Sequence, residues 1–414
     1  MGLFSGPALP RSSRPLRGEK AWEKTSRDQD PKGQELGKKI RAMKLTIERT
    51  ALLHSLGHVQ SVVERRNTIP ILSNVLLEAK GDRLGLTATD MELAIVEQVA
   101  VDAGQAGAAT VPAHTLYDIV RKLPDGAQVQ LELSGDGQQT TIKAGRSRFQ
   151  LATLPKEDFP ATGSGDLPHQ FPLSAGDLKG LIDRTKFAIS TEETRYYLNG
   201  IYLHAFSSGK QKALRAVATD GHRLARVEMP LPEGAENIPG VIIPRKAVNE
   251  LRKLIEDTTG SVAVSLSDSR IRFAFDDVVL TSKLIDGSFP DYHRVIPTNN
   301  DKMLEVDRKT FRDAVDRVST ISSEKSRAVK LSLKSGLLTL SATSAEQGSA
   351  VEELEVKYDG APIDIGFNSR YLLDIADEIE GEGMQILLAD SVAPTLMRDM
   401  ADAQALYVLM PMRV

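Results

Sequence analysis

Residues 44–63 read KLTIERTALLHSLGHVQSVV: a strand-like opening, Lys44-Leu45-Thr46-Ile47, then apolar residues at Leu52, Leu53, Leu56, Val59 and Val63. That three-to-four spacing is one apolar stripe along a helix. The theme returns at Phe171-Pro172-Leu173 with Leu178, Leu181, Ile182 and Thr185, and at Leu304-Glu305-Val306 with Phe311, Ala314, Val315 and Val318. It also recurs inside each segment. Val111-Pro112 leads to Leu116, Ile119, Val120 and Leu123, Ile243-Pro244 to Val248, Leu251, Leu254 and Ile255, and Ile365-Gly366 to Leu372, Ile375, Ala376 and Ile379.

Short alternating stretches follow every helix, among them Asn74–Glu78 and Leu84–Thr89, Gly200–His204 and Ala213–Thr219, Ala328–Leu333 and Leu337–Ala342, and Ala405–Pro411. Their length and alternation suit half-buried antiparallel strands. The pattern predicts an α+β chain of six strand–helix–strands units, each helix on one face of an antiparallel sheet, paired into three similar domains of about 120 residues. The expected domains are 43–162, 171–290 and 291–414. The joints fall at Phe159–Phe171, with Gly163-Ser164-Gly165, and at Pro290–Met303. Residues 1–42, rich in Pro, Gly, Ser and charge, read as a disordered N-terminal extension, and Met43 as the natural start.

Of 414 residues, 41% are apolar and 26% charged, an ordinary globular composition. No apolar run is long enough for a membrane helix. Cysteine is absent, which excludes disulfides, thiolate metal sites and a cysteine nucleophile and fits the cytoplasm. Seven histidines leave little for a metal site, and no cofactor is expected.

Charge is uneven. Residues 1–42 hold ten Lys/Arg and five Asp/Glu, so the net −4 divides into +5 there and −9 for the rest. The six expected helices, Thr50–Glu64, Ala113–Leu123, Ser174–Phe187, Pro244–Glu256, Val306–Ile321 and Asn368–Glu380, hold 14 basic against 13 acidic residues. The helical face is therefore less acidic than the remainder, and an acidic chain can still meet DNA through it. Six domains roughly 35 Å across, closed in a ring, leave a hole of similar width, enough for a duplex about 20 Å wide. A three-domain chain reaches six as a head-to-tail dimer.

The stretches Thr68-Ile69-Pro70-Ile71-Leu72-Ser73-Asn74, Arg195-Tyr196-Tyr197-Leu198-Asn199-Gly200, Ala218-Thr219-Asp220-Gly221-His222-Arg223-Leu224, Ser288-Phe289-Pro290-Asp291-Tyr292 and Tyr407–Val414 carry a family resemblance. From Met43 onward the chain resembles the beta sliding clamps, processivity subunits of bacterial DNA polymerase III. The resemblance implies a non-catalytic, head-to-tail homodimeric ring, helices lining the hole and sheets outside, sliding on duplex DNA without sequence preference.

It also implies a pocket of Leu198, Thr219, Gly221, His222, Arg223, Leu224, Pro290, Arg294, Val295, Val408, Leu409, Met410, Pro411, Met412 and Arg413. That pocket would take Gln-Leu-x-Leu-Phe-like peptides of the polymerase III alpha subunit, the clamp loader delta subunit, other polymerases and repair proteins. Apolar walls would take the Leu and Phe anchors, and Arg and His tips would orient them. Pro394 stands where the family has a serine. For DNA contact the resemblance implies Arg66, beside Arg65, with Tyr196 and Tyr197. Glu192 replaces a glutamine of that loop, and His114 replaces an arginine. The dimer seam would set Arg146, Arg148 and Phe149 against Thr320, Ile321 and Glu346. Two other readings stand beside this one: an acid–base enzyme built on Asp220 and His222, which lacks a nucleophile motif, and a monomeric peptide-binding scaffold.

Overall fold

The computed structural model describes residues 43–161, 165–323 and 327–413. The extension 1–42, Gly163-Ser164 of the first joint and Val414 lie outside the described residues.

The first segment runs β1 (Lys44–Glu48), α1 (Arg49–Gln60), β2 (Asn74–Lys80), β3 (Arg83–Thr89), β4 (Leu93–Ala100), β5 (Asp102–Gln105), β6 (Gly107–Pro112), α2 (Ala113–Lys122), β7 (Gln128–Leu133), β8 (Gln139–Ala144) and β9 (Ser147–Ala152). The second runs β10 (His169–Ser174), α3 (Ala175–Lys186), β11 (Gly200–Ser208), β12 (Gln211–Thr219), β13 (Arg223–Pro230), β14 (Val241–Pro244), α4 (Arg245–Leu254), β15 (Ser261–Leu266), β16 (Arg270–Phe275) and β17 (Val278–Lys283). The third runs β18 (Lys302–Asp307), α5 (Arg308–Ser319), β19 (Ala328–Lys334), β20 (Leu337–Ser344), β21 (Gly348–Glu355), β22 (Ile363–Asn368), α6 (Ser369–Asp377), β23 (Gly383–Leu388), β24 (Thr395–Asp399) and β25 (Ala405–Leu409).

All six expected helices form, and local chemistry sets their ends. The Glu48 carboxylate accepts from the Ala51 amide at 3.0 Å, Ser174 from Asp177 at 2.9 Å, Asp307 from Thr310 at 2.7 Å and Asn368 from Arg370 at 3.0 Å. Each satisfies an amide that the first helical turn leaves unpaired. α2 and α4 instead follow Pro112 and Pro244. Two helices are shorter than their stripes suggest. α1 stops at Gln60 rather than Glu64, where the Ser61 hydroxyl turns back to the His58 carbonyl at 2.7 Å, and α6 stops at Asp377 rather than Glu380. The apolar residues just beyond, Val63 and Ile379, still pack in the core.

The sheets differ from one sheet per repeat. Among the described residues four antiparallel sheets form, and two of them, eight strands each, cross from one segment into the next. β17 pairs with β4, with Val278 opposite Glu97 and Ser282 opposite Leu93. β13 pairs with β25, with Arg223 opposite Leu409 and Val227 opposite Ala405. The terminal sheets run β5-β1-β7-β8-β9 and β21-β20-β19-β22, leaving β9 and β21 as open edges. Between the sheets lie helix pairs α1 on α2, α3 on α4 and α5 on α6. Leu52 and Leu56, Leu181 and Ile182, and Phe311 and Val315 are buried there.

The repeat extends to its turns. Between β3 and β4 the Asp90 carboxylate accepts from the Glu92 and Leu93 amides at 2.9 and 2.7 Å, and Thr89 Oγ1 donates to the Leu93 carbonyl. Between β12 and β13 Asp220 accepts from His222 and Arg223 at 2.9 and 3.0 Å, and Thr219 Oγ1 donates to the Arg223 carbonyl. The third residue of each turn is left-handed, φ +79° at Met91 and +89° at Gly221.

Candidate functional site

At the junction of the second and third segments, the turn after β12 meets the C-terminal strand. The Met410 amide donates to the His222 carbonyl at 2.9 Å, and the Met412 amide to the Gly366 carbonyl at 2.9 Å, so the chain end is fastened at two points. Beneath lies a separate apolar cluster of Val217, Leu224, Tyr292 and Val408, flanked by Tyr202, Phe289, Ile296 and Leu406. The Tyr202 and Phe289 rings stack 4.8 Å apart. Gly221, His222, Pro290, Arg294, Val295, Met410 and Arg413 are exposed around this floor, while Thr219, Pro411 and Met412 are half-buried. Leu198 and Leu409 are buried. A Cβ on Gly221 would stand 2.7 Å from Arg195 Nη1, so glycine also lets Arg195 lie across the turn.

Of the expected pocket residues, Leu224 and Val408 lie in one cluster. Val217, Tyr202, Phe289, Tyr292 and Arg195 were missed. Phe289 and Tyr292 lie in the Ser288–Tyr292 stretch, and Val217 in the alternation of β12. Burial holds the Tyr292 phenol above its ordinary pKa. His204, whose Nε2 lies 3.0 Å from the Tyr292 hydroxyl, is pulled down by burial.

Arg223 needs correcting. It is not an orienting tip but a buried clamp. Its guanidinium pairs with Asp220 at 3.1 Å and with Asp374 of α6, donates to the Phe187 carbonyl at 2.6 Å and lies 4.2 Å from the Tyr371 ring centroid. It joins second-segment elements to the third. Asp220 is likewise spent on its turn and on Arg223, so it forms no acid–base pair with His222. Arg294 is exposed and pairs with Asp291 at 3.0 Å.

Tyr196 opens onto a cleft of about 790 Å³ lined by Lys186, Arg245, Lys246, Arg252 and Lys253. Its ring sits edge-on to Tyr197, and both pack against Gly287. Most of these cations are neutralised: Lys186 by Asp183, Arg252 by Asp183 and Glu256, Lys246 by Asp90 and Glu64, and Lys253 by Glu250. Arg245 has no ion pair among the described residues. Glu192 is held by Arg195 at 3.1 Å, so its charge is screened. Arg65 and Arg66 are exposed. His114 is half-buried, its Nε2 2.8 Å from the Val63 carbonyl just beyond α1.

Arg146, Arg148 and Phe149 are exposed at the β9 edge, and Thr320 and Glu346 are exposed near the other end of the chain, with Ile321 half-buried. No ladder joins β9 to β21 within the chain.

Models of the DNA polymerase III beta subunit match in chain order: the N-terminal domain over residues 43–163, the central domain over 172–291 and the C-terminal domain over 293–413. The chain belongs to the DNA polymerase III beta subunit family. The beta sliding clamp of Caulobacter vibrioides is 56% identical over 372 residues, covering 90% of this chain and all of that one. That of Escherichia coli K12 is 40% identical over 375 residues, with the same coverage. Among solved structures, a Bartonella birtlesii sliding clamp bound to griselimycin superposes with a TM-score of 0.88 at 53% identity, and a Caulobacter crescentus sliding clamp with 0.85 at 56%, each over 90% of this chain and all of theirs. As a beta subunit the chain is a DNA sliding clamp of replication, a processivity factor rather than an enzyme. The three-domain clamp fold is that of its neighbours.

Proposed function

We propose that two copies close head to tail into a ring that encircles duplex DNA in the cytoplasm and tethers polymerases by short peptides. The open edges β9 and β21 carry this reading. An unpaired edge exposes a row of amide and carbonyl groups that invites another strand. β9 and the turn before it are basic and apolar, with Arg146, Arg148 and Phe149 all exposed. β21 is acidic, with Glu352, Glu353 and Glu355, and shows Val351 at 66% exposure. Glu346 stands in the turn before it. Charge of opposite sign around apolar centres favours β9 of one protomer beside β21 of its partner. Domains 43–162, 171–290 and 291–414 would then supply six around the ring.

The near-neutral cleft beside Tyr196, with Arg66, Glu192, Tyr197 and His114 on the same reading, supports weak, sequence-independent phosphate contact that lets the ring slide. The Leu224–Val408 cluster, rimmed by His222, Val295 and Met410, suits Leu and Phe anchors of a Gln-Leu-x-Leu-Phe-like peptide from the alpha subunit, the loader delta subunit or repair proteins. The deciding experiment loads the protein with its clamp loader on closed circular and on linear DNA. Retention on the circle and loss from linear ends is expected. Equal retention on both would overturn encirclement.

A further inference from the structure

We infer that His54, His58 and Glu97 form a binding site for one divalent first-row transition ion. The two histidines lie one turn apart on α1, so their rings project from the same helix face. Glu97 reaches that face from β4. Its Oε2 lies 2.8 Å from His58 Nδ1 and its Oε1 3.9 Å from His54 Nδ1, and the ring centroids are 4.3 Å apart. One ligand atom from each side chain falls within 4.8 Å of the others.

Burial makes this more than a chance meeting. Glu97 is only 7% exposed, and among the described residues no Lys or Arg pairs with it. Its remaining partner is the Ser55 hydroxyl, which donates to Oε1 at 2.7 Å and fixes the carboxylate. A buried carboxylate needs a cation, and here two imidazoles and an open side are what the fold offers. His54, 63% exposed, stands at that opening.

Two imidazole nitrogens and one carboxylate oxygen suit Zn²⁺, Co²⁺ or Ni²⁺ and not the oxygen-seeking Mg²⁺ or Ca²⁺. Ligand bonds of about 2.0–2.2 Å place tetrahedral donors roughly 3.3 Å apart. His58 now stands 2.8 Å from one carboxylate oxygen and His54 3.9 Å from the other, and one ligand atom of each residue falls within 4.8 Å of the others, so side-chain rotations would have to draw both nitrogens and a single oxygen to that spacing. Binding would replace the His58–Glu97 hydrogen bond, with the imidazole proton carried on Nε2, and leave a fourth position to water. The ion would fasten α1 to β4, the strand that carries the shared sheet from the first segment into the second.

The test uses tag-free, full-length protein stripped with chelator, titrated with Co²⁺ by visible absorption and with Zn²⁺ by calorimetry. One ion per chain and the absorption of a tetrahedral Co²⁺ centre are expected, with a Zn²⁺-dependent rise in thermal midpoint. His54→Ala, an exposed change that leaves folding intact, should weaken affinity at least about tenfold, and His58→Ala or Glu97→Gln more. No binding by the parent protein at micromolar metal, or affinity unchanged by His54→Ala, would reduce the cluster to a plain His58–Glu97 hydrogen bond and overturn the site.

Discussion

The Met410 amide donates to the His222 carbonyl at 2.9 Å, making the chain's end and the β12–β13 turn two walls of one structure. The consequence is cooperative. The turn is shaped by Asp220, which in turn holds Arg223, which reaches Asp374 on α6. The rim of the candidate pocket and the joint between the second and third segments therefore share side chains. Changes at one residue of the rim can act on binding, on the joint or on both, and the variants below separate these effects.

Arg223→Ala should act on stability first. It removes the cation between two carboxylates, Asp220 and Asp374, at a buried site, and breaking such a pair from one side costs about 3 kcal/mol. Arg223→Lys should recover little, since an ammonium cannot reach both acids, the Phe187 carbonyl and the Tyr371 face at once. Urea denaturation checks this. A midpoint equal to the parent's would return Arg223 to the role of a free pocket tip.

Much of this architecture was legible in the sequence. The six helices announced themselves because each buries one stripe and exposes the other. Of the seam strands only β25 did, within Ala405–Pro411. In β13 Arg226 and Glu228 alternate with Ala225, Val227 and Met229, but its partner β25 lies far along the chain, so the pairing leaves no local pattern. Glu97 sits inside β4, facing inward among apolar neighbours, so the strand reads as interrupted when it is central. β9 is exposed along most of its length, and a strand without a buried face has no pattern to read. The misreading of Arg223 has the same origin: its decisive partners, Tyr371 and Asp374, are about 150 residues away.

Met91→Gly should stabilise the protein. Met91 holds φ +79° at the turn position that Gly221 fills in the second segment, and its side chain is half exposed, so little packing is lost. Relief of the left-handed strain, less the entropy that glycine adds to the unfolded chain, leaves a gain of about 0.5–1 kcal/mol. A rise in thermal midpoint is expected, and a fall would mean that the methionine side chain carries contacts outweighing the strain.

Glu378, at the C-terminal end of α6, makes stability depend on pH. Burial pushes its carboxyl up to about 7, helped by Asp183, with Lys186 opposing. A raised acid favours the proton in the folded state. Its contribution is therefore fully present below the ordinary value near 4.5 and is lost as pH rises through about 7. Partial exposure screens the effect to about 1 kcal/mol. Glu378→Gln should raise the urea midpoint at pH 8, leave it unchanged at pH 4, and flatten the slope between. A variant as pH-sensitive as the parent would assign the slope elsewhere.

The double variant Arg146→Glu, Arg148→Glu tests the proposed ring. Among the described residues these two form no ion pair, so a monomer should fold with unchanged thermal midpoint under dilute conditions. Facing Glu346 and the acidic β21 of a partner, the reversed charges would repel, and the dimer dissociation constant should rise at least about tenfold. Sedimentation at several concentrations measures it. An unchanged constant would move the dimer contact away from β9.

Removing residues 410–414 tests the pocket. The truncation deletes the Met410–His222 and Met412–Gly366 hydrogen bonds but leaves β25 intact to Leu409, with Val408 and Leu409 still buried. The body should therefore stay folded, and the dimer edges, which lie on other strands, should be spared. What disappears is the exposed Met410 side chain and the half-buried Pro411 and Met412 above the Leu224–Val408 floor. A Leu or Phe anchor that loses its wall forfeits much of the roughly 1.5–3 kcal/mol that burying such a side chain supplies. That is about tenfold to over a hundredfold in affinity. Calorimetry with a Gln-Leu-x-Leu-Phe peptide should show this loss, and His222→Ala, which keeps the backbone bond partner but removes an exposed ring at the rim, should show a smaller one. Full affinity in a truncated, folded dimer would place the peptide site on another face of the clamp.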